Sequence, residues 1–213
     1  LTARHIIQGD TFQGDAITSL ASTLDDVKGN SYPGALRSAA IIRLRALEKS
    51  MAEGGSPQLD EEQRKLDASI RMSLARAPAD PFLWVVLFWL ENARNGFSRN
   101  HLKLLQESYA LGPNEGWVAI RRNRLALAIF SQLSPNLRRE VVREFAGLVR
   151  SHYIAQAADL LVGPGWPVRD QLLSGLRDVP QLPREQLAKA VYDLGYDVSV
   201  PGVTLPAPRP WRR

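Results

Sequence analysis

Two stretches of this chain lie over one another: Ser73-Leu74-Ala75-Arg76-Ala77-Pro78-Ala79-Asp80-Pro81-Phe82 and Ser108-Tyr109-Ala110-Leu111-Gly112-Pro113-Asn114-Glu115-Gly116-Trp117. Pro78 and Pro113 stand 35 residues apart, and at the same offset Ile70 corresponds to Leu105. In each stretch an apolar, alanine-bearing run stops at a proline. A short polar turn follows, and then an aromatic residue opens the next run. A fixed offset with matching chemistry is what stacked helical hairpins produce, because each pair must bury its apolar face on the next.

Working outward, the helical period continues on both sides. Pro33-Gly34 opens a run to Ala52 with Leu36, Ala39, Ala40, Ile42, Leu44 and Leu47 as its apolar positions, and Gly54-Gly55 closes it. Ser56-Pro57 starts a second run to about Arg76, with Asp60, Glu61 and Glu62 suited to the positive end of a helix dipole. Asp80-Pro81 is a capping aspartate followed by proline at the first helical position. The run after it, Phe82 to Arg94, is apolar nearly all round and must be buried, Trp84 included.

Asn95-Gly96 stops that run, Ser98 caps the next one to Leu111, and Glu115 to Leu133 and Pro135 to Arg150 follow. No strand alternation interrupts this region, so the predicted class is all-α. Thr11 to Leu24, Tyr153 to Val162, Pro167 to Leu176 and Pro183 to Leu194 read as further helices. Beyond Val198 the prolines Pro206, Pro208 and Pro210 favour an extended, Pro-rich C-terminal tail. Four sections result: an N-terminal helical segment over 1–32, a helical array over 33–150, a small helical section over 151–197 and the tail over 198–213.

Trp84 to Pro113 resembles a tetratricopeptide repeat. Trp84 and Leu87 match its W-x-x-L opening, and Ser108-Tyr109-x-Leu111-Gly112-Pro113 matches its closing helix and terminal proline. Phe88 and His101 stand where that family has small residues, and Glu91 where it prefers an aromatic. The resemblance covers one repeat and the second helix of the one before it. It implies an antiparallel helix-hairpin array, a short α-solenoid, working as a scaffold or adaptor with a concave groove and no chemistry of its own.

Composition bounds the rest. The 213 residues are 45% hydrophobic and 23% charged, enough for a packed core. The longest apolar run, Phe82 to Leu90, falls far short of the roughly 20 residues a membrane span needs. The absence of cysteine excludes disulfides, a cysteine nucleophile and thiolate-bound zinc. His5, His101 and His152 are isolated, and no nucleophile elbow or phosphate-binding loop occurs, so no catalytic, cofactor or metal residue is expected. The chain begins at Leu1 without Met. The expectation drawn is a removed signal or anchor and an envelope-associated or periplasmic place, for instance beside a polysaccharide export system; the alternative is a cytoplasmic adaptor.

The net charge is +5, and of 27 basic residues only Lys28, Lys49, Lys65, Lys103 and Lys189 are lysine; the others are arginine. They are spread without a nucleic-acid-binding signature. On the largely apolar run from Glu115, Trp117, Arg121 and Arg124 form one stripe at i, i+4 and i+7, and Arg122 stands beside them. The next run adds Arg138, Arg139 and Arg143. Guanidinium groups on a helix this apolar must be paired or aimed at a ligand. One reading is a groove for a partner protein with an acidic or extended segment. The other is internal pairing with Glu107, Glu115, Glu140 or Glu144. Trp211, with the tail's arginines, is a further docking candidate, for a partner or a membrane surface. The function expected is a non-catalytic interaction scaffold; the alternatives are a binding module for an anionic polymer or small anion, and an enzyme whose site assembles from scattered residues.

Overall fold

The computed structural model describes residues 19–21, 23–26, 31–54, 57–113 and 115–204. Trp211, the tail beyond Thr204 and most of the helix expected over Thr11 to Leu24 lie outside the described residues. Within them every regular element is helical: α1 (Pro33–Ala52), α2 (Leu59–Arg76), α3 (Pro81–Asn95), α4 (Leu102–Leu111), α5 (Gly116–Ala128), α6 (Pro135–Arg150), α7 (Ile154–Val162), α8 (Arg169–Ser174) and α9 (Gln181–Asp193), with short 3-10 turns between some of them. The chain divides into two compact units, Leu1–Leu111 and Gly112–Arg213. Within the units, neighbours in sequence pack from α1 through α4 and from α5 through α7.

In the first unit α1 pairs with α2 and α3 with α4. The expected apolar face of α1 is buried, Leu36, Ala39, Ala40, Ile42, Leu44 and Leu47 all being 5% exposed or less. Asp80 does two jobs. Its Oδ1 accepts the Phe82 and Leu83 amides at 3.0 and 3.1 Å, which caps α3, and its Oδ2 accepts Arg37 Nε of α1 at 2.6 Å. Ser108 Oγ of α4 donates to the Pro81 carbonyl at 2.7 Å. The residues that correspond at the 35-residue offset share an environment: Ile70 and Leu105 are both fully enclosed, as are Ser73 and Ser108.

The positions that depart from the repeat pattern have local partners. Phe88 is core, 3% exposed. Glu91 accepts Arg71 Nη2 from α2 and Asn95 Nδ2 at 2.8 Å. Arg71 is also held by Asp67, whose hydrogen bond is the largest influence raising its pKa. His101 Nδ1 lies 3.1 Å from Asn92 Oδ1.

Trp84 differs from expectation. It is half-buried, and its indole N–H donates to the Pro78 carbonyl at 2.7 Å, tying α3 to the turn before it. Trp84→Ala is therefore expected to cost about 1–2 kcal/mol, one hydrogen bond and part of a buried face. Emptying a fully enclosed aromatic site costs about 3–5 kcal/mol. A thermal melt distinguishes the two.

The second unit is arranged about α6, which packs against α5, α7, α8 and α9. The helix expected to run from Glu115 to Leu133 ends earlier, at Ala128, and a 3-10 turn over Phe130–Gln132 follows. Arg138 of α6 takes the carbonyls of Phe130 and Ser131, at 3.1 and 2.6 Å, and its guanidinium lies 5.6 Å from the centre of the Phe130 ring. This tertiary contact satisfies the turn's carbonyls. At the end of α6, His152 adopts a φ of 62° while the His152 and Tyr153 amides close onto the carbonyls of Val149 and Leu148. That is a Schellman C-cap with histidine where glycine is usual. Val198 and Val200 are buried, and Arg184 of α9 donates to the Pro201 carbonyl, so the segment leading to Thr204 is packed on its own unit.

Candidate anion-binding groove on helix α6

Helix α6 carries two faces because its sequence alternates on the helical period. Leu137, Val141, Phe145, Leu148 and Val149 are enclosed, while Arg139, Arg143 and Arg150 are exposed. Arg139, Arg143, Ala146 and Arg150 fall at i, i+4, i+7 and i+11, one stripe along the helix. Helix α8 and the turn after it lie beside this stripe. They can come this close because Gly175 has no side chain: a Cβ there would sit 2.5 Å from Val142 Cγ1. The result is a groove of about 490 Å³ lined by Arg138, Arg139, Arg143 and Arg150, with Val142 and Ala146 between the arginines and Gln171, Ser174 and Asp178 on the far wall.

The four arginines are held differently. Arg138 and Arg150 reach backbone carbonyls, Arg150 Nη2 lying 3.4 Å from that of Asp178. Arg139 donates to Asn136 Oδ1, and Arg143 Nη1 to Glu140 at 2.8 and 3.0 Å, both within α6. The Arg143 side chain is 72% exposed, so its pair with Glu140 contributes little to stability. Each guanidinium has five N–H donors, and these contacts occupy one terminal nitrogen of Arg139 and of Arg143. Four arginines and one acidic residue, Asp178, line the groove, so its lining carries a net positive charge and forms a cationic trough.

The other sequence candidates are placed elsewhere. Trp117 and Arg121 are half-buried on α5 and Arg124 is exposed there; none of the three lines this groove. Beside them, Arg122 is 0% exposed. Its Nε donates to Glu144 Oε1 at 2.9 Å, and its Nη2 donates to the same oxygen and to the Gly112 carbonyl, the latter at 2.9 Å. Asn123 Nδ2 donates to Glu144 Oε2 at 3.3 Å and to the Val141 carbonyl at 3.0 Å. The arginines of α5 and α6 thus divide. One is internally paired and holds α5 to α6, while another set lies along an open trough.

Sequence reasoning selected the Trp117 stripe and passed over Arg122, although Val118, Arg122 and Ala126, all at 0% exposure, share the buried face at i, i+4 and i+8. It also missed Arg150, and the α8 wall had no local signal. Among the described residues no group of three or more His, Asp or Glu side chains could hold a metal, and no helix is long and apolar enough to cross a membrane. Compared with protein-family models, with curated proteins and with solved structures, the chain gives no match.

Proposed function

We propose that this chain is a non-catalytic helical scaffold that captures a partner protein through the arginine trough of α6. The observation that carries this is the gathering of Arg138, Arg139, Arg143 and Arg150 along one groove while Arg122, on the neighbouring helix, is internally paired. The groove arginines also have partners within the chain, but Arg139, Arg143 and Arg150 stay exposed to solvent, whereas Arg122 is fully enclosed. A row on an exposed stripe raises the local concentration of anionic groups and gives them bidentate donors. The hairpins α1–α2, α3–α4 and α5–α6 are read as tetratricopeptide-like, supported by the shared burial of Ile70 with Leu105 and of Ser73 with Ser108. A second reading, a binding module for an anionic polymer, draws on the same charge.

Site-specific photocrosslinking tests the scaffold reading. A photoreactive residue at Gln171, on the groove wall, is expected to give a discrete protease-sensitive adduct in extracts of the source cell. The same residue at exposed Lys103 should give none. The adduct should disappear in the Arg139→Glu/Arg143→Glu variant. No adduct from Gln171, or one indifferent to the charge reversal, contradicts the reading.

A further inference from the structure

The trough has a length, a polarity and an apolar floor, and together these say what kind of segment fits it. From Arg139 to Arg150 the stripe rises about 16 Å along the helix, at ~1.5 Å per residue. A single small anion would engage two neighbouring guanidinium groups and leave the others unused. An extended peptide rises about 3.3 Å per residue and shows alternate side chains on one face, so its side chains recur every ~6.6 Å. The four-residue step from Arg139 to Arg143 is about 6 Å, so two acidic side chains spaced i and i+2 on such a peptide meet both arginines.

Farther along, the floor changes. Ala146 follows Arg143 about 4.5 Å along the stripe and lines the groove before Arg150, while Val142 lines it between Arg139 and Arg143. Asp178, whose backbone carbonyl faces Arg150, adds a negative charge at that end. A uniformly charged polyanion would bring its charges against this apolar floor and the Asp178 carboxylate. No aromatic residue lines the groove, so it lacks the stacking platform on which single-stranded bases rest.

Building on the scaffold reading above, we infer that the occupant is an extended peptide segment of the partner with two acidic residues spaced i and i+2, followed two positions on by an apolar side chain that seats over Ala146, between Arg143 and Arg150. The carboxylates take charge-assisted, bidentate contacts from Arg139 and Arg143. The apolar side chain supplies the discrimination that charge alone cannot give, because exposed charge pairs are weak and screened by salt.

The test is fluorescence anisotropy of the full chain with three labelled probes at physiological ionic strength. The probes are a peptide with the Glu-Ser-Glu-Ser-Leu pattern, the same peptide with serine for leucine, and a heparin-derived oligosaccharide. The leucine peptide is expected to bind about tenfold more tightly than the serine peptide, as burial of one apolar side chain gives. It should also bind more tightly than the oligosaccharide. Ala146→Ser should reduce the leucine advantage and leave the serine peptide within about threefold. Arg139→Glu/Arg143→Glu should abolish binding of both peptides, with circular dichroism reporting that the variant is folded.

Equal binding of the two peptides, tighter binding of the oligosaccharide, or peptide binding indifferent to the charge reversal would overturn the inference. A Gln171 adduct that forms while the peptides fail to bind removes the acidic–apolar segment and leaves the scaffold reading standing. Absence of both removes the two together.

Discussion

Arg122→Ala is expected to lower the stability of the second unit by about 3–5 kcal/mol, the cost of stranding a buried carboxylate without its partner. Glu144 is 4% exposed at its side chain and would lose the hydrogen bonds that Arg122 Nε and Nη2 give its Oε1. The Gly112 carbonyl would lose the Nη2 contact as well. The loss would appear as a fall in Tm of about 12 °C or more, at the ~4–8 °C per kcal/mol usual for a unit of this size. The Arg122→Met/Glu144→Leu double variant should recover most of it. Removing both charges from an apolar interface avoids the desolvation cost that a lone carboxylate suffers. A double variant no more stable than the single one would mean that the hydrogen bonds from Arg122 to Gly112 and from Asn123 to Glu144, not the ion pair, carry the stabilisation.

Phe145→Ala should cost a similar amount, about 3–5 kcal/mol, for a different reason. Phe145 is 0% exposed on the enclosed face of α6, and truncation leaves a cavity whose walls are helices packed on several sides. Two positions earlier, Arg143→Ala should change stability by less than about 0.5 kcal/mol, the ordinary effect of an exposed substitution. Urea denaturation of the two variants measures the contrast directly. Similar losses for both would mean that α6 does not present the two faces described.

The helices were legible because their punctuation is chemical. Proline at the first turn of α1, α3 and α6, the Asp80 and Ser134 caps, and glycine or proline after α3 and α4 each mark an end that local sterics enforce. Where no such mark exists the reading overran. Nothing in Ile129-Phe130-Ser131 forbids helix, and the turn there is fixed by Arg138 reaching back from α6, a contact invisible to a local window. Trp84 was misplaced because α3 is apolar nearly all round. No period singled out the side that faces outward.

The candidate site was half legible for similar reasons. The residues of α6 announce themselves as arginines on an amphipathic helix, and Arg138, Arg139 and Arg143 do line one groove. Whether a guanidinium on α5 is a strut or a ligand group depends on which side of that helix it occupies. Arg121 and Arg122 differ by about 100° of rotation, and the second is the one that is fully enclosed and bonded to Glu144. The far wall of the groove comes from Gln171, Ser174 and Asp178, more than twenty residues downstream of Arg150. Their approach depends on Gly175 lying against Val142.

The central claim is that the arginines of α5 and α6 serve two purposes, one holding the unit together and one facing a ligand. The most direct test is to melt Arg122→Met and Arg139→Glu/Arg143→Glu side by side and titrate each with the leucine-bearing acidic peptide at a temperature where both are folded. The account expects a Tm lowered by about 12 °C or more in the first, with peptide affinity kept within about threefold. It expects an almost unchanged Tm and no peptide binding in the second. A charge-reversed variant that unfolds, or an Arg122 variant that melts like the wild type, would contradict it.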